Sequence, residues 1–90
     1  MRTSPIWHPF TQHALAGEML AVERGEGAHL YLTDGKRILD AIASWWVVTH
    51  GHGHPAIRAA VRAQAEKLAQ VIFAGFTHEP AENLARVLVD

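Results

Sequence analysis

Hydrophobic positions along the chain change their spacing twice, and each change marks a new kind of element. Residues 1–18 keep no sustained period and carry Pro5, Pro9 and Gly17, so they predict an irregular arm. From 19 to 44 the apolar residues come in short runs, 19–22, 28–33 and 36–40, separated by Gly25-Glu26-Gly27 and Asp34-Gly35. That pattern predicts an antiparallel β-meander, in which Asp34-Gly35 closes a type I′ hairpin because both residues tolerate positive φ. Beyond Pro55 the spacing becomes helical. Ile57, Val61, Ala65, Leu68 and Ile72 recur at three- and four-residue steps while Arg58, Arg62, Glu66 and Lys67 fall elsewhere, which predicts an amphipathic helix over 55–71. Residues 73–79 read as a loop, and Pro80 opens a second helix with Leu84, Val87 and Leu88 on one face. The chain is therefore α+β: an irregular arm, a β-meander, then two helices. The apolar face of the last helix is still running at Asp90 with no Gly or Pro stop, so the sequence is expected to be an amino-terminal fragment of a longer protein.

Composition narrows the class. The 90 residues are 49% hydrophobic and 19% charged, which suits a folded chain rather than a disordered tail. A net charge of −1 gives no electrostatic footprint for nucleic acid or an anionic membrane. Because cysteine is absent, disulfides, zinc-thiolate sites and iron–sulfur clusters are excluded, and a reducing cytoplasm is the expected setting. The first residues lack an apolar signal core, and no run reaches the ~18–20 apolar residues of a membrane helix.

Candidate chemistry is concentrated in three blocks. All three tryptophans and four of the seven histidines lie in 6–12, 44–46 and 49–55, beside prolines and glycines that fix backbone direction. Aromatic faces with polar tips suit a pocket for a flat ligand, so these blocks are expected to wall one site. If the third strand ran on through Trp45 and Trp46, alternation would set them on opposite faces, with at most one in the core. Plain packing by both remains the competing reading. His50, His52 and His54 alternate in a way that could gather three imidazoles around a metal, but Gly51, Gly53 and Pro55 make capping and hydrogen bonding at a strand-to-helix turn the preferred role. No Gly-x-Ser-x-Gly elbow and no Gly-rich phosphate loop is present. Lys36 falls in the hairpin turn and Lys67 on the polar helix face, neither of which resembles a desolvated amine.

The order Ile6-Trp7-His8-Pro9-Phe10-Thr11, Asp34-Gly35-Lys36-Arg37-Ile38-Leu39-Asp40, Ser44-Trp45-Trp46, Thr49-His50-Gly51-His52-Gly53-His54-Pro55 and Val71-Ile72-Phe73-Ala74-Gly75-Phe76-Thr77-His78 resembles the amino terminus of the class III pyridoxal-phosphate aminotransferases. The Trp-His-Pro run and the double tryptophan point to the branch serving biotin biosynthesis. What the resemblance implies is a fold type I transferase, a cytoplasmic homodimer using pyridoxal 5′-phosphate to move an amino group from S-adenosylmethionine to 8-amino-7-oxononanoate. It implies an arm over 1–18, a partial small domain over 19–90, and a large cofactor-binding domain with the catalytic lysine beyond position 90. By the same resemblance Trp45 is a substrate-binding residue and Phe10 stands where several members carry a ligand-stacking tyrosine. Trp46 is a further candidate, and Ile72 and Ala74 lie in a loop that reaches the partner subunit's site. Another class III aminotransferase, or an autonomous small binding module, stays open as an alternative.

Overall fold

The computed structural model describes residues 4–90; the first three residues of the arm lie outside it. The chain forms two compact units, Met1–Pro55 and Ala56–Asp90.

In the first unit an irregular arm leads into a three-stranded antiparallel sheet of order β1-β2-β3, with β1 Val22–Glu26, β2 His29–Leu32 and β3 Arg37–Leu39. The meander predicted from sequence forms, but its first strand lies later than expected, and Gly25-Glu26 belong to it rather than to a turn. Close approach explains the difference. A Cβ added at Gly25 would sit 2.8 Å from both Cβ and Cγ of His52, so glycine here makes room for a ring crossing the strand. The chain instead turns at Gly27, whose φ is +58° and whose N–H and C=O exchange bonds with the main chain of His52 at 3.1 and 2.8 Å. The register slips between Val22 and Arg24, and the Arg24 guanidinium lies 3.7 Å over the Tyr31 ring.

The β2–β3 hairpin also forms at Asp34-Gly35, with a different turn from the one predicted. Gly35 donates to the Leu32 carbonyl at 3.0 Å, and Leu32 in turn donates to the Lys36 carbonyl at 2.8 Å. Positive φ is confined to Gly35 (+89°), which is the three-residue loop with a glycine bulge and not type I′. Asp34 serves through its side chain, accepting from the Lys36 N–H at 3.0 Å.

The second unit contains α2 Pro55–Lys67 except its first residue, and α3 Glu79–Val89. α2 stops four residues short of the predicted 71. The Gln64 side-chain amide donates to the Leu68 carbonyl at 3.0 Å, satisfying the helix end, and the β-branched Val71-Ile72 pair beyond it disfavours a further turn. α3 starts at a cap within the predicted loop: His78 Nδ1 accepts from the Ala81 N–H at 3.2 Å, with Glu79 and Glu82 in the first turn to complement the helix dipole.

Very little is buried. Among the described residues only Leu32, 5% exposed, is a fully enclosed hydrophobe. Apolar faces on both helices stand open, including Ile57 and Val61 on α2 and Leu84, Val87 and Leu88 on α3. No helix among the described residues is long and apolar enough to cross a membrane.

Candidate functional site

The site is built around a short segment with unusual backbone. Residues Ala43–Trp46 form α1, a single turn in which all four residues have positive φ: 48°, 47°, 63° and 67°. It is a left-handed helical turn, closed by the Trp46 N–H on the Ile42 carbonyl at 2.9 Å and by Val48 on Ala43 at 3.1 Å. Left-handed backbone costs L-residues roughly 1–2 kcal/mol each and normally occurs at single positions, so four in a row without a glycine must be over-determined by their surroundings. Strand alternation therefore does not set the directions of Trp45 and Trp46, because a turn and not extended backbone follows the third strand. Both rings lie outside any core: Trp45 is 52% exposed and Trp46 81%.

Asp40 holds the turn. Its Oδ1 accepts from the Ser44 N–H at 3.0 Å, and its Oδ2 accepts from the Ser44 hydroxyl at 2.7 Å and pairs with His52 Nε2 at 2.7 Å. With the carboxylate ionised it can only accept, so the His52 ring donates from Nε2. The Asp40 side chain is 6% exposed. Those bonds hold its carboxyl at about 2, below its ordinary 3.8, the Ser44 hydroxyl contributing most, then the Ser44 N–H, then His52. The mount is stiff as well: the Asp40 N–H donates to the Ala28 carbonyl at 2.8 Å, and the His52 main chain is clamped to Gly27.

Trp45 in turn meets the arm. The Phe10 ring packs edge to face on it, and Phe10 also has left-handed backbone, φ 49°. The structure thus brings together two of the candidate residues, Phe10 and Trp45, across 35 positions of sequence. Trp46 makes no ring contact with either among the described residues. Ile72 and Ala74 lie in the second unit, both exposed, on the loop between α2 and α3. A hollow of about 480 Å³ lies in the first unit, lined by Ser4, His8, His13 and residues 16–19, and no tryptophan lines it. Trp45 and Phe10 meet each other with their outer faces open among the described residues.

The alternating histidines separate. His52 turns to Asp40, while His50 bonds to the Thr49 hydroxyl at 3.1 Å and meets His54 edge-on at 6.1 Å. No three of the described histidine, aspartate and glutamate residues are placed to share a metal. Neither lysine fits a carbonyl cofactor: Lys36 is 77% exposed beside Asp34, and Lys67 is exposed at the end of α2. Asp40 is the residue that sequence reading passed over. Its only sequence signal is a carboxylate four positions before a serine, which means little until the turn between them is known to be left-handed.

Comparison with known proteins gives the segment its relatives. The family model described as aminotransferase class III matches residues 11–90. The adenosylmethionine-8-amino-7-oxononanoate aminotransferase of Synechococcus elongatus is 52% identical over 83 residues, covering 92% of this chain and 20% of that enzyme. The enzyme of the same name from Corynebacterium glutamicum is 40% identical over 85 residues, covering 94% and 20%. In structure, the chain matches the adenosylmethionine-8-amino-7-oxononanoate aminotransferase of Methanocaldococcus jannaschii with a TM-score of 0.88 at 37% identity, over 94% of this chain and 20% of that one. An amine transaminase from an uncultivated Pseudomonas species, solved in its PLP-bound internal aldimine form, gives 0.85 at 32%, over 97% and 20%. The chain spans about a fifth of the length of these relatives.

Proposed function

Since the chain belongs to the class III aminotransferases, we propose that it is the amino-terminal part of a cytoplasmic, homodimeric transaminase that moves an amino group from S-adenosylmethionine to 8-amino-7-oxononanoate. Pyridoxal phosphate would supply the electron sink for that transfer. Lys36 and Lys67 are both exposed and do not resemble a desolvated Schiff-base amine, so the cofactor lysine would be supplied from elsewhere in the longer protein. The segment's own part is to bind and orient. Trp45 offers a broad apolar face to the carbon chain of the keto acid, and Phe10, fixed against it, closes one side of the same surface. Ile72 and Ala74 would serve the site of the partner subunit from their loop, with Trp46 a further contact.

The observation that carries this reading is the Phe10–Trp45 corner, two exposed aromatic rings whose backbones are both strained and which meet edge to face at 5.5 Å. Backbone strain at both rings supports a functional over a space-filling role, since strained residues persist where a site needs their direction. The resemblance of residues 11–90 to one family model, over about a fifth of its relatives' length, weighs against an autonomous binding module. Transamination by the full-length enzyme tests the proposal: 8-amino-7-oxononanoate should be aminated with S-adenosylmethionine as donor. Turnover only with simple amines would instead make this a different class III aminotransferase, a reading to which the likeness to an amine transaminase lends some weight.

A further inference from the structure

We propose that Asp40 is a positioning residue for ligand binding: by latching Ser44 and His52 it maintains the left-handed turn Ala43–Trp46 and so aims the Trp45 ring at the substrate. The inference rests on the reading of Trp45 as a substrate contact. Four observations support it. All four residues of the turn occupy backbone that L-residues avoid, and none of them is glycine. Among the described residues burial does not hold that conformation, because Ser44, Trp45 and Trp46 are all exposed. What does hold the turn is one carboxylate, whose two oxygens take the Ser44 N–H and hydroxyl together with the His52 ring. Finally, both ends of the latch are bonded to the turn between β1 and β2, Asp40 to Ala28 and His52 to Gly27, so the carboxylate ties the left-handed turn to that connection.

With the latch lost, the four residues are free to relax to right-handed or extended backbone, which swings Trp45 away from Phe10. A ligand contact that depends on the ring's direction is then weakened in binding, while the reacting centre, supplied from elsewhere, is left intact. Asp40→Ala removes all three bonds. Asp40→Asn keeps one acceptor oxygen for the Ser44 N–H and should have a smaller effect in the same direction.

The test uses the full-length enzyme, with KM and kcat for the keto acid measured beside the near-ultraviolet circular dichroism of the tryptophans. Asp40→Ala is expected to raise KM about ten-fold, lower kcat by less than about three-fold and weaken the aromatic signal, with Asp40→Asn between it and wild type. The decisive variant is Ala43→Gly added to Asp40→Ala. Glycine accepts positive φ without the latch, so most of the lost KM and of the dichroism should return although no bond to position 40 has been restored. Recovery of the melting temperature without recovery of KM or dichroism would overturn the proposal and leave Asp40 a stabilising residue only, as would KM values within two-fold of wild type for Asp40→Ala. Should Asp40→Ala fail to fold, Asp40→Asn with and without Ala43→Gly carries the same comparison. Absence of transamination by the unmutated enzyme would overturn the functional reading separately, and the dichroism series would still decide the latch.

Discussion

The rings of Phe10 and Trp45 meet edge to face with centroids 5.5 Å apart and planes at 74°. An aromatic pair in this geometry is worth about 0.5–1.5 kcal/mol beyond its buried area, less than the backbone strain of the two residues that form it. The contact therefore cannot be the reason the turn is left-handed; the turn is fixed from the Asp40 side, and the arm then lies against the ring that results.

Phe10→Tyr in the full-length enzyme should change recognition of the keto acid or the amino donor by about five-fold, equivalent to ~1 kcal/mol for one gained or unpaired hydroxyl. Stability should hardly move, because Phe10 is 96% exposed in this segment and lies outside the sheet. Kinetics with both substrates, beside a thermal melt, separate the two effects. Equal kinetics for both substrates would place Phe10 away from the ligand.

Trp45→Ala should damage use of 8-amino-7-oxononanoate much more than it damages folding. Truncating a buried tryptophan costs ~3–5 kcal/mol, whereas a half-exposed ring such as this one should cost well under half of that. The expected outcome is a loss of at least about ten-fold in kcat/KM with a melting temperature lowered by a few degrees. A protein that melts early but keeps normal specificity per folded molecule would transfer the role to Trp46.

Acid should release the turn through Asp40. Its carboxyl is lowered to about 2 in the folded chain against an ordinary 3.8, so it contributes stability that is fully present above 3.8 and is lost as pH falls through the folded value. Tryptophan fluorescence or near-ultraviolet dichroism followed from pH 5 downward should show a transition in that window, and Asp40→Asn should abolish that component. An unchanged titration in Asp40→Asn would assign the transition to other carboxylates.

Gly25→Ala should destabilise the full-length protein by about 1–3 kcal/mol, because its methyl would overlap the His52 ring and displace the Asp40 partner. Gly17→Ala makes the matched control. A methyl there meets nothing within 4 Å, and its backbone needs no positive φ, so its effect should lie within about 0.5 kcal/mol of neutral or be slightly stabilising. Denaturant melts of the two variants provide the comparison, and equal midpoints would contradict the close approach of His52 to the strand.

The sequence alone determined the meander, the two longer helices and their order, since periods of two and of three to four residues, Pro55, Pro80 and Asp34-Gly35 act within a few positions of themselves. The resemblance likewise needed only the blocks from Trp7 to His78, and it singled out Phe10 and Trp45, which fold to touch. Tertiary structure decided the rest. Gly25 reads as a turn residue in sequence because glycine permits tight turns, yet it serves the passage of a ring 27 residues away. Ser44-Trp45-Trp46 looks like the end of a strand, because apolar and aromatic residues favour strands and nothing local encodes a left-handed turn without glycine. That conformation exists only where a carboxylate fixed to one strand, a serine four residues on and a histidine twelve residues on are brought to the same point. Local pattern cannot specify such a meeting, because its energy comes from groups that approach one another only after the sheet has formed.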